Sequence, residues 1–174
     1  MSLTLHAHIL AMYRNPVFVE TGSYEGGGVA VALQSGFEEV HSIEINPSFH
    51  ARCAKRFAGD SRVHLYCGDS AKLLGTVLAG VSKRATLWLD AHPCAPMGGP
   101  PVPGCSLLDE LAAATAASAR RDHTVLVDDI DIMESLFGIR VSDVINRLLL
   151  FNPRFVFTFH QGGARPMSIL AAAV

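Results

Sequence analysis

Five short apolar or β-branched runs punctuate the chain: residues 17–20 (VFVE), 39–45 (EVHSIEI), 62–66 (RVHLY), 85–89 (ATLWL) and 123–127 (HTVLV). Each is followed by a turn signal, which predicts five strands. Between them the apolar positions change to the three- and four-residue spacing of helices. Val29 to Ser35 predicts one helix, stopped by Gly36. Phe49, Cys53 and Phe57 predict a second, with Asn46 as cap, Pro47 at the first helical position and Gly59 as stop. A third is expected from Ser70, with Leu73, Leu74, Val77 and Leu78 on one face. A fourth is expected from Ser106, which with Asp109 is spaced for a capping box ahead of Leu111.

Strands that are apolar on both faces and alternate with helices form parallel sheets covered on both sides, through right-handed crossovers. The expected fold is therefore α/β, a doubly wound Rossmann-like sandwich with a mostly parallel sheet. The C-terminal stretch departs from that rhythm. Val141 to Phe151 is amphipathic through Val144, Ile145, Leu148 and Leu149; RFVFTFH then alternates, QGGARP turns, and MSILAAAV is placed to return antiparallel. This predicts a C-terminal hairpin strand. Residues 93–105 (PCAPMGGPPVPGC) are too rich in proline and glycine for regular structure and are expected to form a mobile loop leaving the C-terminal end of a strand.

A length of 174 residues suits one well-buried core and is short for two ordinary domains, so a single domain over 1–174 is expected. The net charge of −2 provides no electrostatic footprint for nucleic acid. No apolar run approaches the ~18 residues of a membrane span, and MSLTLHAHIL lacks the charged start and small-residue cleavage site of a signal peptide. The expectation is a soluble cytoplasmic protein with neither nucleic acid nor membrane as partner; a homodimer is allowed. Cys53, Cys67, Cys94 and Cys105 show no CxxC spacing, and two of them fall on elements expected to be buried, so a disulfide scaffold is not expected.

The first strand runs into VETGSYEGGG, with four glycines among residues 22–28. In open parallel sheets ligands bind beyond the carboxyl ends of the strands, where a glycine turn and a helix N-terminus bring backbone N–H groups close. Glycine also marks ordinary tight turns, so further matches must decide. Glu44 closes the second strand, where a carboxylate can accept both hydroxyls of a ribose or stand as a solvated acid. Asp69 and Ser70 follow the third strand, Asp90 the fourth, and Asp128 and Asp129 the fifth.

The order Glu20, Gly22, Gly26, Gly28 reads E-x-G-x-x-x-G-x-G, not the nicotinamide fingerprint GxGxxG, and it resembles class I S-adenosylmethionine-dependent methyltransferases over residues 16 to 160. The resemblance implies a donor site of Glu20, Gly22, Gly26, Gly28, Glu44, Asp69 and Ser70. It places Asp69 beside the adenine, although Asp69 equally suits a helix cap. The acids of WLDAHPC and VLVDDIDIM are similar to those of metal-dependent O-methyltransferases of the catechol and macrolide-sugar types. In that family Asp90, Asp128 and Asp129 would hold Mg²⁺, which would polarise a hydroxyl of a small-molecule acceptor. Otherwise Asp128 or Asp129 caps the next segment and Asp90 shapes the methionine pocket. No lysine follows Asp90 as in the catechol type, so His92 is the nearest base and joins Asp90 as a candidate catalytic residue.

LDAH and CSLLDEL also look like a group of bacterial methyltransferase-like proteins, which names no substrate. Three further readings stand beside this one. His92, Cys94 and Cys105 are three soft zinc ligands at irregular spacing. The short chain leaves little room for an N-terminal cap, which suits a non-catalytic S-adenosylmethionine-binding module. Glu44 also suits an NAD ribose, hence an oxidoreductase. The pair His6 and His8 suggests packing or exposure rather than metal, and Trp88 core or pocket wall. Acceptor choice is expected to lie in residues 91–105 and 130–140.

Overall fold

The computed structural model describes residues 7–93, 104–162 and 165–174. Seven strands form one sheet in the order β3-β2-β1-β4-β5-β7-β6. These are β1 (Val17–Thr21), β2 (Glu39–Glu44), β3 (Val63–Cys67), β4 (Ala85–Leu89), β5 (Thr124–Val127), β6 (Val156–Gly162) and β7 (Arg165–Ala173). The first five pair in parallel, and β7 runs antiparallel between β5 and β6. The expected doubly wound sandwich and its C-terminal hairpin are both present.

Alternating side chains along each strand feed two apolar layers. Val17, Val19, Leu87, Leu89, Val125 and Val127 pack on one face with the helices α4 (Ser70–Gly80), α5 (Leu107–Ala117) and α7 (Val141–Phe151). Phe18, Val40, Trp88 and Leu126 pack on the other with α1 (Ala7–Met12) and α2 (Gly27–Gln34), and Phe57, just beyond α3 (Pro47–Arg56), lies against the same layer. Trp88 is 1% exposed, so it is a core residue rather than a pocket wall.

Local chemistry explains most helix boundaries. The Asn46 side chain accepts from the Ser48 N–H and Pro47 occupies the first turn of α3, as expected. That helix ends at Arg56, earlier than Gly59, with Phe57 as its C-cap. The capping box expected at Ser106 and Asp109 does not form: Ser106 makes no side-chain cap, and its one hydroxyl hydrogen is instead shared between Glu110 Oε1 and the Ala91 carbonyl, each 2.9 Å away. Two short helices escape the apolar periodicity, α1 and α6 (Met133–Phe137), each too brief to show a repeat. Cys53 is buried whereas Cys67, at the end of edge strand β3, is exposed; both are free thiols. Most of the loop expected over 93–105, together with Cys94 and His6, lies outside the described residues. Among the described residues no helix is long and apolar enough to cross a membrane.

Candidate active site

The parallel strands bring Glu20, Glu44, Asp90 and Asp128 to one edge of the sheet, because each stands at or just past the carboxyl end of its strand. Backbone ladders extend past the strands there: Gly22 N–H to Ile43 O at 2.8 Å, Asp90 N–H to Thr21 O at 3.2 Å, and Asp128 N–H to Leu89 O at 3.1 Å. The site therefore stands on a continuous scaffold.

The glycine corner is shaped by its neighbours. Gly22 has φ of 86°, and a Cβ there would lie 2.7 Å from the Asp90 carbonyl, so only glycine lets β1 turn against the end of β4. Gly26 caps α2 in the left-handed region, and the space of its missing side chain is taken by Phe57 and Cys53. That is a reason for glycine that involves no ligand. At Gly28 a Cβ would fall 1.7 Å from Glu20 Oε1, because the Glu20 carboxyl is folded beneath the first turn of the helix.

Glu20 is 2% exposed and accepts from Ser42 Oγ at 2.6 Å, which in turn contacts Ser23 Oγ at 2.5 Å. Burial, opposed by the Ser42 bond and reinforced by Asp90 and Glu44, pushes its pKa up to about 8. Glu20 is thus a protonated acid at neutral pH.

Glu44 is held more openly. Its Oε2 accepts from the Tyr24 N–H at 2.7 Å and its Oε1 from the Asn46 N–H at 2.8 Å, which aims the carboxylate and leaves each oxygen a further lone pair for a hydroxyl. Tyr24 adopts φ of 48° to make this bond. Asp69 caps α4, accepting from the Ala71 N–H at 3.0 Å, and also pairs with Lys72 at 3.2 Å. Ser70 turns inward and donates to Glu110 Oε1 at 2.5 Å.

Glu110 was not singled out from the sequence. It is 1% exposed, yet its carboxylate gathers the hydroxyls of Ser70, Ser106 (2.9 Å) and Thr21 (3.2 Å), and Thr21 Oγ1 in turn accepts from the Asp90 N–H. This acid ties the ends of β1 and β4 to the starts of α4 and α5. Burial raises its pKa against the three hydroxyl bonds. The signal present in the sequence was an acid among apolar residues in SLLDEL, a position that periodicity assigns to the core.

Beyond the ends of β4 and β5, Asp90, Asp129 and His92 converge. His92 Nε2 lies 3.3 Å from Asp90 Oδ1 and 3.0 Å from Asp129 Oδ2, within ion-pair distance of both carboxylates, but neither contact has hydrogen-bond geometry. Burial, the largest single influence, opposes its charge, but the close approach and charge of the Asp90 carboxylate, together with the Pro93 carbonyl and Cys105, carry the imidazole up to about 9. His92 is therefore a cation at neutral pH, with no vacant lone pair to act as the base expected from the sequence. Asp129, at φ of 53°, also pairs with Arg165, which reaches Asp131 Oδ1 with its other terminal nitrogen at 3.0 Å. Asp128 is 1% exposed, and its Oδ1 accepts from the Asp129 N–H at 2.8 Å.

The acids expected to hold Mg²⁺ are thus placed at adjacent strand ends but turned to other partners. A magnesium site needs several carboxylate or water oxygens aimed at one point. Asp128 instead faces its own backbone, and Asp129 is engaged by two cations. Among the described residues no three His, Cys, Asp or Glu side chains form a group that could hold a metal ion. As arranged, this set does not fit Mg²⁺.

No protein-family model matches the chain, and no curated protein matches it. Solved structures do. The chain is similar to an O-methyltransferase from Bacillus cereus in complex with S-adenosylhomocysteine, with a TM-score of 0.68 and 14% identity over 97% of this chain and 78% of that one. It is also similar to the O-methyltransferase TomG from Streptomyces achromogenes in complex with S-adenosylmethionine (TM-score 0.59, 14% identity, 97% and 77%). An rRNA methylase from Streptococcus thermophilus matches with a TM-score of 0.61 at 10% identity, over 96% and 92%. The fold is that of the class I S-adenosylmethionine-dependent methyltransferases.

Proposed function

We propose that this protein transfers a methyl group from S-adenosylmethionine to a hydroxyl of a small molecule. The observation that carries the reading is the register of Glu20 with its glycine corner, Glu44, Asp69 and Asp90 along the carboxyl ends of β1, β2, β3 and β4, in a fold shared with enzymes crystallised with this donor or its product.

The donor supplies a methyl group carried on a sulfonium and ready for displacement. Glu44, oriented by two backbone N–H groups, accepts the ribose hydroxyls. The N–H groups that open α2, with Gly22, Gly26 and Gly28 around them, face the amino-acid portion, and Asp69 and Ser70 flank the adenine side. Asp90 has 28% of its side chain exposed against 15% for Asp129, so it is the acid better placed to accept a hydrogen bond from the incoming hydroxyl. His92 fixes that carboxylate as its cationic partner. Asp90 takes the hydroxyl proton as the O–CH₃ bond forms and the S–CH₃ bond breaks to leave S-adenosylhomocysteine, and orientation of the oxygen toward the methyl carbon is the protein's other contribution. His92 and Arg165 supply two positive charges that face these carboxylates, so this reading routes no step through a metal ion. The net charge of −2 and the acids on the acceptor side favour a small neutral acceptor over a polyanion.

Calorimetric titration with S-adenosylhomocysteine, with NAD as comparator, tests the donor. Glu44→Ala should weaken binding about tenfold or more, since hydrogen bonds to a charged group contribute ~1.5–3 kcal/mol. Turnover is then measured with labelled donor on catechols, vicinal diols, sugars and an rRNA fragment. Donor binding without transfer to any of them identifies a non-catalytic module, and preference for NAD over S-adenosylhomocysteine rejects the proposal.

A further inference from the structure

The antiparallel insertion of β7 beside β5 has a chemical result at the acceptor end. Val127 pairs with Leu170, and the ladder continues as Ile130 N–H to Ser168 O at 2.9 Å. The first residue of β7, Arg165, is thereby carried over the acids that follow β5. Its two terminal nitrogens divide between Asp129 and Asp131, and the Arg165 side chain is 30% exposed in this position. From the opposite side His92 spans Asp90 and Asp129. A guanidinium keeps its charge throughout the accessible pH range and presents several fixed donors, which suits it to neutralising adjacent carboxylates.

We infer that Arg165 is a positioning residue that takes the role of a divalent cation at this strand-end carboxylate group, so that the protein neither binds nor needs Mg²⁺ there. The inference rests on the methyl-transfer reading for the meaning of the site, but its primary test uses no donor, so the two fail separately. The single charge of Arg165 is divided between Asp129 and Asp131, Asp129 also faces His92 together with Asp90, and Asp90, with 28% of its side chain exposed, is the carboxylate left to the acceptor.

The test is thermal unfolding and calorimetry of the native chain, Arg165→Met and Arg165→Lys, with MgCl₂ or MnCl₂ and with EDTA. The native protein and Arg165→Lys should show no heat of metal binding and unchanged Tm. Arg165→Met removes the charge at similar bulk and should gain cation binding, raising its Tm by roughly 5–10 °C at a hundredfold excess of metal over Kd. Saturable Mg²⁺ binding by the native chain that EDTA reverses would overturn the inference. So would an Arg165→Met protein as indifferent to metal as the native one. If Arg165→Met does not fold, the native titration alone decides. Where turnover is detected, native activity should persist in EDTA, and that of Arg165→Met should become responsive to metal.

Discussion

Replacing Gly28 with alanine isolates the contact on which the glycine corner is built. A Cβ at position 28 would meet Glu20 Oε1 at 1.7 Å and its Cδ at 2.8 Å, so the carboxyl must retreat by more than about 1 Å. Carboxyl groups at the end of a flexible side chain usually can. Here Glu20 is 2% exposed and tied to Ser42 at 2.6 Å, so withdrawal breaks a buried hydrogen bond and presses on a packed layer. Overpacking costs ~1–3 kcal/mol and an unsatisfied buried polar group about the same, against a helix-propensity gain of at most ~1 kcal/mol for alanine over glycine. Gly28→Ala should therefore destabilise the protein by about 2 kcal/mol or more, which lowers Tm by roughly 5 °C or more in a chain of this size.

The assay is urea unfolding of a double-mutant cycle. In a Glu20→Ala background the obstacle is gone, so Gly28→Ala should become neutral or stabilising, with a coupling of roughly 2–3 kcal/mol. Native-like stability of Gly28→Ala alone, or a coupling below about 0.5 kcal/mol, would refute the claim that position 28 is bare to house the Glu20 carboxyl.

Glu110→Ala should destabilise by about 2 kcal/mol in urea, because it strands the hydroxyls of Ser70 and Thr21 while Ser106 keeps the Ala91 carbonyl, and Glu110→Gln, which keeps one acceptor oxygen, should lose less. His123 is fully buried; its Nδ1 accepts from the Ala85 N–H at 3.0 Å, and burial depresses its pKa to about 4. Its stabilisation is therefore present above pH ~6.5 and lost as pH falls from there through about 4, on the order of 3 kcal/mol, and His123→Gln should flatten that slope. Glu20, protonated at pH 7 with a pKa of about 8, should release a large part of a proton when the cationic donor binds, and less with the product, which lacks the sulfonium charge. Calorimetry in buffers of different ionisation enthalpy reads this directly, and equal heats for the donor across buffers would exclude it.

The fold was legible because its parallel strands are continuous apolar runs separated by helix-period segments with clear caps. Asn46-Pro47 and Ser70 marked starts that the structure keeps. The hairpin was legible from the alternation in RFVFTFH, but its insertion between β5 and the edge was not. Strand order depends on which edges pair, and side-chain period carries no information about that. The strand-end acids were legible for the same reason as the strands, since a parallel sheet puts every such residue at one edge. Their partners were not: Arg165 lies 36 residues from Asp129, and Glu110 is 40 from Ser70. Only the folded sheet brings those pairs together.

Those distant partners change what the acids mean. A row of carboxylates read along the chain has unbalanced charge, and a divalent cation is the simplest remedy. In the fold each carboxyl is balanced differently. Glu20 keeps its proton, Glu44 takes two backbone N–H groups, Glu110 takes three hydroxyls, and Asp90 and Asp129 share His92, with Arg165 adding to Asp129. The balance also divides the site. The donor side is neutral or held by hydrogen bonds, so an arriving sulfonium is the charge that alters it. Around Asp90 and Asp129 the cations His92 and Arg165 are already in place. Under the proposed reading, that division suits a cationic donor and an uncharged acceptor.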